Sequence, residues 1–553
     1  MIRQFLIVVV VLFSASCTKD FLDINTDPNN PTDIEVSKLL PWAQRTLGDA
    51  LSMGEDNGGL SQILGVYTHQ LSTREETDQY GATGNEFFLG LAWSKLYATS
   101  PPPGAAQPVY GVLNNLEDII ERATEDGNTH YAGIAKILKA YTFSQIVDVF
   151  GDVPFSEANR LNEGIQYPKF DDDAAIYDSI FNIINSGIDD LNNTTAPNAF
   201  KPGADDIIYG GDISKWLKAA NTIKLKLYTQ IRKVKDVSAE VNQLLSAPSG
   251  LINTVGESFL IPYGINAATD DRNPAFATYY ASQRSNHVSP WFYEILKGYN
   301  PGIFTGIEDP RIPYYIYNQI SANQNTREGN QTEYRDGAFV SIYFGSVGPN
   351  RDRSQQNTIS MLGIYPAGGK YDDGSATIAT ATSGTGAAPY RMITYADRLY
   401  LEAELMQVGI VAGNARAKLD AAIKESFKQV DFVVSMVNTS SQLVPVIYST
   451  LYDPTSAATL NDPTKTSPMM RYIHNVLMGY EAASTEKKLE IIMTQKWISN
   501  IGNAVDQYTD IRRTGYPVVF NPLDGSMAPG GRVQPPINGD PVNPGAQPSV
   551  PVQ

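Results

Sequence analysis

From Ser37 to Lys235 apolar residues recur at three- and four-residue spacing, in segments of about 15 to 22 residues broken by Gly, Pro and Asn. That pattern predicts helices near 37–53, 59–72, 85–99, 107–126, 130–150, 173–193 and 213–235. In the fifth, Tyr131, Ile134, Leu138, Tyr141 and Gln145 share a face, with Ile137, Ala140, Ser144 and Val147 beside it. A stripe that wide predicts a helix buried between neighbours. Short connections between consecutive helices favour antiparallel hairpins, and stacked hairpins make a tetratricopeptide-like scaffold, although no strict 34-residue consensus repeats.

The pattern changes after about Glu257. Residues 258–389 are rich in Tyr, Gly, Pro, Asn and Ser, with few helical periods and short candidate strands such as Ala338–Phe344. Such a stretch predicts an irregular insertion whose loops form a surface on a rigid scaffold. Helical spacing returns at Arg391–Val411, Asn414–Phe432, Arg471–Met478 and Thr485–Asn500. Residues 521–553 hold eight prolines and five glycines, which no regular element accommodates. The chain thus reads as mostly α, with one helical scaffold (37–235 and 390–515), a large loop-rich insertion (258–389) and a tail (521–553).

The N-terminus has its own pattern. Arg3 precedes nine unbroken apolar residues, Phe5–Phe13, and then the small residues Ser14-Ala15-Ser16. Nine helical residues rise about 14 Å, half of a bilayer core, so this is a signal-peptide core and not a span. Residues 1–16 are expected to be removed. Cys17, the only cysteine, then follows the cleavage site as in a lipobox, although Ser14 stands where Leu is preferred. Acylated Cys17 would anchor residues 17–553, a single domain, to the membrane. Thr18-Lys19-Asp20 resembles the short signal that directs some lipoproteins to the outer face of the outer membrane.

Composition narrows the partners. With 42 basic and 59 acidic residues the formal charge is −17, or −18 without Arg3. Phosphate backbones would be repelled, so nucleic acid is not expected as a partner. Once Cys17 is acylated no thiol is left for a disulfide, a zinc site or a nucleophile. The 42% apolar fraction supports a folded chain stabilised by packing alone.

Catalytic patterns are missing. Only His69, His130, His287 and His474 are present, and neither His-Glu-x-x-His nor Gly-x-Ser-x-Gly occurs. Gly363 and Gly368 imitate a phosphate-binding loop, but Gly369 stands where Lys is required. Asp23, Asn25, Asp27 and Asn29 alternate like a calcium loop, yet Pro28 replaces its Gly and Ile34 its Glu, so these are turn residues. Asp171-Asp172-Asp173 precedes a helix and reads as a cap, not a metal site. No cofactor is expected. Paired carboxylates of a glycosidase leave no sequence signature, so that class stays open with nothing positive behind it.

Several blocks together resemble the SusD/RagB family: Phe21–Thr32 directly after the lipobox, Ala140–Ala158 (AYTFSQIVDVFGDVPFSEA), and Trp216–Leu227 (WLKAANTIKLKL). Asp309-Pro310-Arg311, Arg391–Glu404 (RMITYADRLYLEAE) and Lys496–Pro517 (KWISNIGNAVDQYTDIRRTGYP) follow in the family's order. Residues 505–508 read Val-Asp-Gln-Tyr where members usually carry Glu-Ala-Trp. The usual Arg-x-x-Tyr-Pro tail becomes Arg532-Val-Gln-Pro-Pro. Within the blocks, Gly151 should end a helix, Pro154 block its continuation, and Arg512 and Arg513 pair with Asp506 and Asp510 across one turn.

The resemblance implies a surface lipoprotein that is not an enzyme. It would capture nutrient and act as a lid over a SusC-like TonB-dependent outer-membrane barrel. The expected ligand is a glycan; a peptide, as in the RagB-like branch, is the alternative, ahead of a surface glycosidase or a bare helical scaffold. By region the family's glycan site draws aromatics from the early loop and the insertion, which implies Tyr80, Tyr280, Trp291 and Tyr343 as stacking rings. Arg284 and Asn286 would be their polar partners. Trp42, Trp93, Trp216 and Trp497, between apolar neighbours on helices, are expected in the core.

Overall fold

The computed structural model describes residues 34–54, 58–73, 86–97, 111–281, 286–300, 303–324, 333–342, 356–438, 444–447 and 467–519. Residues 1–16, expected as a signal peptide, Cys17, the Asx-rich segment before Ile34 and residues 521–553 lie outside the described residues.

Eight helices precede the insertion: α1 (Val36–Leu51), α2 (Leu60–Tyr67), α3 (Glu86–Tyr97), α4 (Val112–Glu125), α5 (Thr129–Phe150), α6 (Asp173–Leu191), α7 (Ile213–Ile231) and α8 (Ser238–Leu245). Consecutive helices α4, α5 and α6 pack on one another, as the hairpin reading requires. Helix α5 is buried nearly all round: Tyr131, Ile134, Leu138, Tyr141 and Gln145 are all 2% exposed or less. It stops where expected, at Gly151 in a positive-φ conformation (75°). Asp171 then ties the following loop down by accepting from the Phe155 and Ser156 amides at 3.1 and 2.7 Å.

After the insertion come α10 (Tyr395–Gln407), α11 (Ala415–Val437), α12 (Pro468–Ala482), α13 (Thr485–Ser499) and α14 (Ala504–Thr514), and a short α9 (Pro290–Leu296) lies within it. The periodicity reading expects no helix at α8 or α9 and stops α11 and α12 short of their ends, and two further boundaries differ for clear physical reasons. Helix α2 ends at Tyr67 because His69 turns to a positive φ of 57°. Residues 390–393 form a strand and not the first turn of a helix, since they pair with residues 259–261. Thr394 then starts α10 with a capping box: its hydroxyl accepts from the Asp397 amide at 3.1 Å, and Asp397 accepts from the Thr394 amide at 2.8 Å.

The insertion is held by two-stranded antiparallel sheets. In chain order the strands are β1 (Leu71–Thr73), β2 (Phe259–Ile261), β3 (Asn286–Val288), β4 (Tyr299–Asn300), β5 (Phe304–Thr305), β6 (Ile316–Tyr317), β7 (Glu333–Asp336), β8 (Phe339–Ile342), β9 (Met361–Leu362) and β10 (Tyr390–Ile393). Pairs run β1 with β3, β2 with β10, β4 with β5, β6 with β9, and β7 with β8. One apolar cluster gathers α1 to α7 with β2 and β10; a second gathers the insertion with α10 to α13. Of the four helical tryptophans, Trp216 and Trp497 are core at 0% and 2% exposure, Trp93 is half-buried, and Trp42 is 51% exposed. Trp42 misses the core because it faces outward beside Lys38 and Arg45, opposite the buried Leu39, Leu40 and Ala43.

Charged residues of the sequence blocks knit the helices from both sides of the insertion. Lys226 on α7 pairs with Asp506 on α14 at 2.6 Å, both under a tenth exposed. Glu404 on α10, fully buried, accepts from Arg232 Nε at 2.8 Å and Arg513 Nη2 at 2.7 Å. Arg513 also donates to Asp510 at 2.6 Å, and Asp510 takes the Lys496 ammonium at 2.7 Å. Burial would raise the Glu404 carboxyl, yet the guanidiniums of Arg513 and Arg232 hold it below the usual carboxylate range. Arg512 does not pair with a carboxylate one turn back; it donates to the Asp148 carbonyl at 2.9 Å. Burial raises the Asp148 carboxyl despite the Lys226 charge and the Tyr177 hydroxyl.

Candidate functional site

Three separate stretches of chain meet at one place in the insertion. Strand β1 pairs with β3 across more than two hundred residues, with Thr73 opposite Asn286. Ser72 Oγ donates to the Ile342 carbonyl at 3.3 Å, and Ser341 Oγ to that of Val288 at 2.5 Å, which brings the end of β8 to the same spot. The chain therefore leaves Thr73 toward 74–85, enters Asn286 from 282–285, and leaves Ile342 toward 343–355 from adjacent points. Tyr80, Arg284 and Tyr343 belong to those three segments and lie outside the described residues.

The other three expected ligand residues, Trp291, Tyr280 and Asn286, are buried, and their positions correct the expectation. Trp291 is 1% exposed inside the second core cluster. Ser289 is the cap of α9, accepting from the Trp291 amide at 3.2 Å, and Pro290 is the first residue of that helix. Tyr280 is 4% exposed and stacks on Phe276 at 4.9 Å. Its hydroxyl donates to the Leu362 carbonyl at 2.8 Å and accepts from the Lys370 amide at 3.0 Å. A Cβ on Gly369 would lie 2.1 Å from this ring, which is why glycine occupies the position that looked like a failed phosphate loop. Asn286 is 6% exposed and donates to the Gln62 carbonyl at 3.2 Å. All three are packing residues here, with no ring face open to a ligand.

An aromatic that sequence reasoning passed over is open. Tyr299, on the β4–β5 hairpin, is 46% exposed, with the Lys297 ammonium 5.6 Å from its ring centroid. Asp336, at the β7–β8 turn, accepts from the Tyr293 hydroxyl at 2.9 Å. Tyr293 stacks in turn on Phe339 at 3.8 Å. Burial, the Asp336 carboxylate and Glu308 outweigh Lys297 and raise the Tyr299 phenol. Burial would lower the Lys297 ammonium, but its hydrogen bond to Glu308 holds it above its usual range. The result is a half-exposed ring flanked by a cation and two carboxylates, a combination that packs a sugar's C–H face and bonds its hydroxyls. The available signal was Tyr299 standing between Gly298 and Asn300-Pro301-Gly302, turn residues that push an aromatic outward.

Elsewhere the carboxylates of Asp152, Asp172 and Asp173 approach within 4.8 Å of one another, all exposed. Two of them have backbone roles. Asp172 caps α6 by accepting from the Ala175 amide at 3.1 Å, and Asp152 accepts from the Asp173 amide at 3.1 Å.

Comparison with known proteins gives one consistent picture. A SusD-like family model, described as "Starch-binding associating with outer membrane", matches residues 79–533. A SusD homolog from Bacteroides uniformis superposes with a TM-score of 0.58 at 18% identity, covering 90% of this chain and 89% of that one. A chitin-binding SusD homolog from Flavobacterium johnsoniae gives 0.58 at 20% identity, covering 87% of each chain. A further chitin-binding protein gives 0.58 at 21%, covering 90% of this chain and 91% of the other. None of the curated proteins matches the sequence.

Proposed function

We propose, from the premise that this chain belongs to the SusD-like family of outer-membrane-associated binding proteins, that it captures a glycan at the cell surface and passes it to a transporter. It is a binding protein and not an enzyme. The observation that carries the ligand reading is the convergence of Thr73, Asn286 and Ile342, which roots three aromatic- or arginine-bearing segments beside one another. Tyr80, Tyr343 and Arg284 are then the contact residues on those segments. The Tyr299, Lys297 and Asp336 rim, at the turn end of the β7–β8 hairpin whose other end is Ile342, adds a further open ring, while Trp291, Tyr280 and Asn286 are buried packing residues. Cys17 carries the lipid anchor, and the partner is a SusC-like TonB-dependent barrel over which the protein closes.

A glycan array with purified protein, with peptides as a second panel, tests the ligand class, and calorimetry then measures the Tyr80→Ala, Tyr299→Ala and Tyr343→Ala variants. Each stacking ring lost should weaken glycan binding by about 1–3 kcal/mol, judged from what aromatic stacking is worth to other ring ligands. Capture of peptides alone, or three variants that bind as well as the parent, would overturn this reading.

A further inference from the structure

We propose that the cavity between α6, α7 and α8 is a second saccharide subsite, taking one or two residues of a neutral sugar, separate from the insertion. Its volume is about 380 Å³, within the range of small-ligand sites. Ile188 on α6 and Leu244 on α8, with Pro248 beyond, supply its apolar lining. Its walls are α6, α7 and α8 together with the turn at residues 246–248.

The polar groups around it are only partly used by the protein itself. Asn221 is 6% exposed, and its Nδ2 is spent on Ser249 Oγ at 2.8 Å and the Gly250 carbonyl at 2.9 Å. What it offers the cavity is its carbonyl oxygen. Lys224, one turn on, gives one of its three ammonium hydrogens to Asn185 Oδ1 at 2.7 Å. The remaining two, and the Asn185 amide hydrogens, are available as donors. Asp189 and Glu240 add carboxylate acceptors on opposite walls. Tyr228 stands on the same α7 face as Asn221 and Lys224, its ring pinned against Phe181 at 4.3 Å and 16°. Burial lowers the Lys224 ammonium despite Asp189, the sign of a cation set in a recess and not in open water.

This set has acceptors and donors in similar number, a formal lining charge of −1 from two carboxylates and one ammonium, and an apolar wall. An anion would meet two carboxylates, and a cation would meet Lys224. A neutral polyol, whose every hydroxyl both donates and accepts, uses all of them, and its C–H face has Ile188 and Leu244 to rest on. None of these residues belongs to the insertion, so the subsite stands or falls independently of the ligand surface described above.

The test uses purified protein with labelled Ile and Leu methyl groups, titrated by NMR with glucose, galactose, N-acetylglucosamine, maltose and cellobiose to high millimolar concentration. At least one sugar should shift the Ile188 and Leu244 methyl signals saturably. Gln243→Trp, which fills the cavity mouth from the exposed side of α8, should weaken that response at least tenfold while melting unchanged and retaining polysaccharide. Glu240→Ala, which removes an acceptor without adding bulk, should weaken it severalfold. No shift with any of the five sugars would overturn the proposal, as would an equal shift in Gln243→Trp. Loss of polysaccharide binding in Tyr80→Ala/Tyr343→Ala with the Ile188 response intact would separate the two sites and support it.

Discussion

Glu404→Ala removes the carboxylate on which two buried guanidiniums converge. Glu404 is fully buried and accepts from Arg232 at 2.8 Å and Arg513 at 2.7 Å. Arg513 keeps Asp510 at 2.6 Å, but among the described residues Arg232 has no other carboxylate partner. Its charge, 7% exposed, is left unpaired. Breaking a buried pair in this way costs about 3–5 kcal/mol, mostly from the orphaned ion. At about 2.1 cal/mol/K of unfolding entropy per residue over the roughly 400 described residues, the melting temperature should fall by about 4–6 °C. Circular dichroism melting measures this directly. Adding Arg232→Met should recover at least half of the loss, because the orphaned charge goes with it.

The same site fixes a pH dependence. The folded Glu404 carboxyl lies below its unfolded value of about 4.3, so its contribution is fully present above that value. It is lost as pH falls through the lower folded value. The gap between parent and Glu404→Ala should therefore be constant at neutral pH and close in acid. A melting temperature within about 1 °C of the parent would refute the assignment, and so would further loss on adding Arg232→Met.

Trp291→Ala should destabilise by about 3–5 kcal/mol, the cost of a large buried aromatic, and chemical denaturation will show it; an unaffected midpoint would mean the ring is not core. Thr394→Ala deletes the cap of α10 and should cost about 1–2 kcal/mol in the same assay, with Thr394→Ser restoring most of it. Gly369→Ala places a Cβ 2.1 Å from the Tyr280 ring and should cost about 1–3 kcal/mol as the ring is displaced. Cys17→Ala should release the protein from outer-membrane fractions into the soluble one; continued co-fractionation would sink the anchor.

The helical spans were legible because periodicity and caps are local. The stripe on α5 needs only its own residues to declare a buried helix, and Gly151 ends it through its own backbone freedom. Blocks such as Phe-Gly-Asp-Val-Pro and Arg-Arg-Thr-Gly-Tyr-Pro likewise carried the family, which the match over 79–533 bears out. Partnerships across the chain were not legible. Ser289-Pro290-Trp291 reads equally well as an exposed aromatic among polar residues or as a cap leading into a core helix. Only the packing of α9 against the rest of the insertion decides for the second. The pairing of residues 71–73 with 286–288, and of Glu404 with Arg232 and Arg513, is decided the same way. A residue's neighbours along the chain set its backbone; what lies across from its side chain is set by segments hundreds of residues away, whose approach no local pattern records.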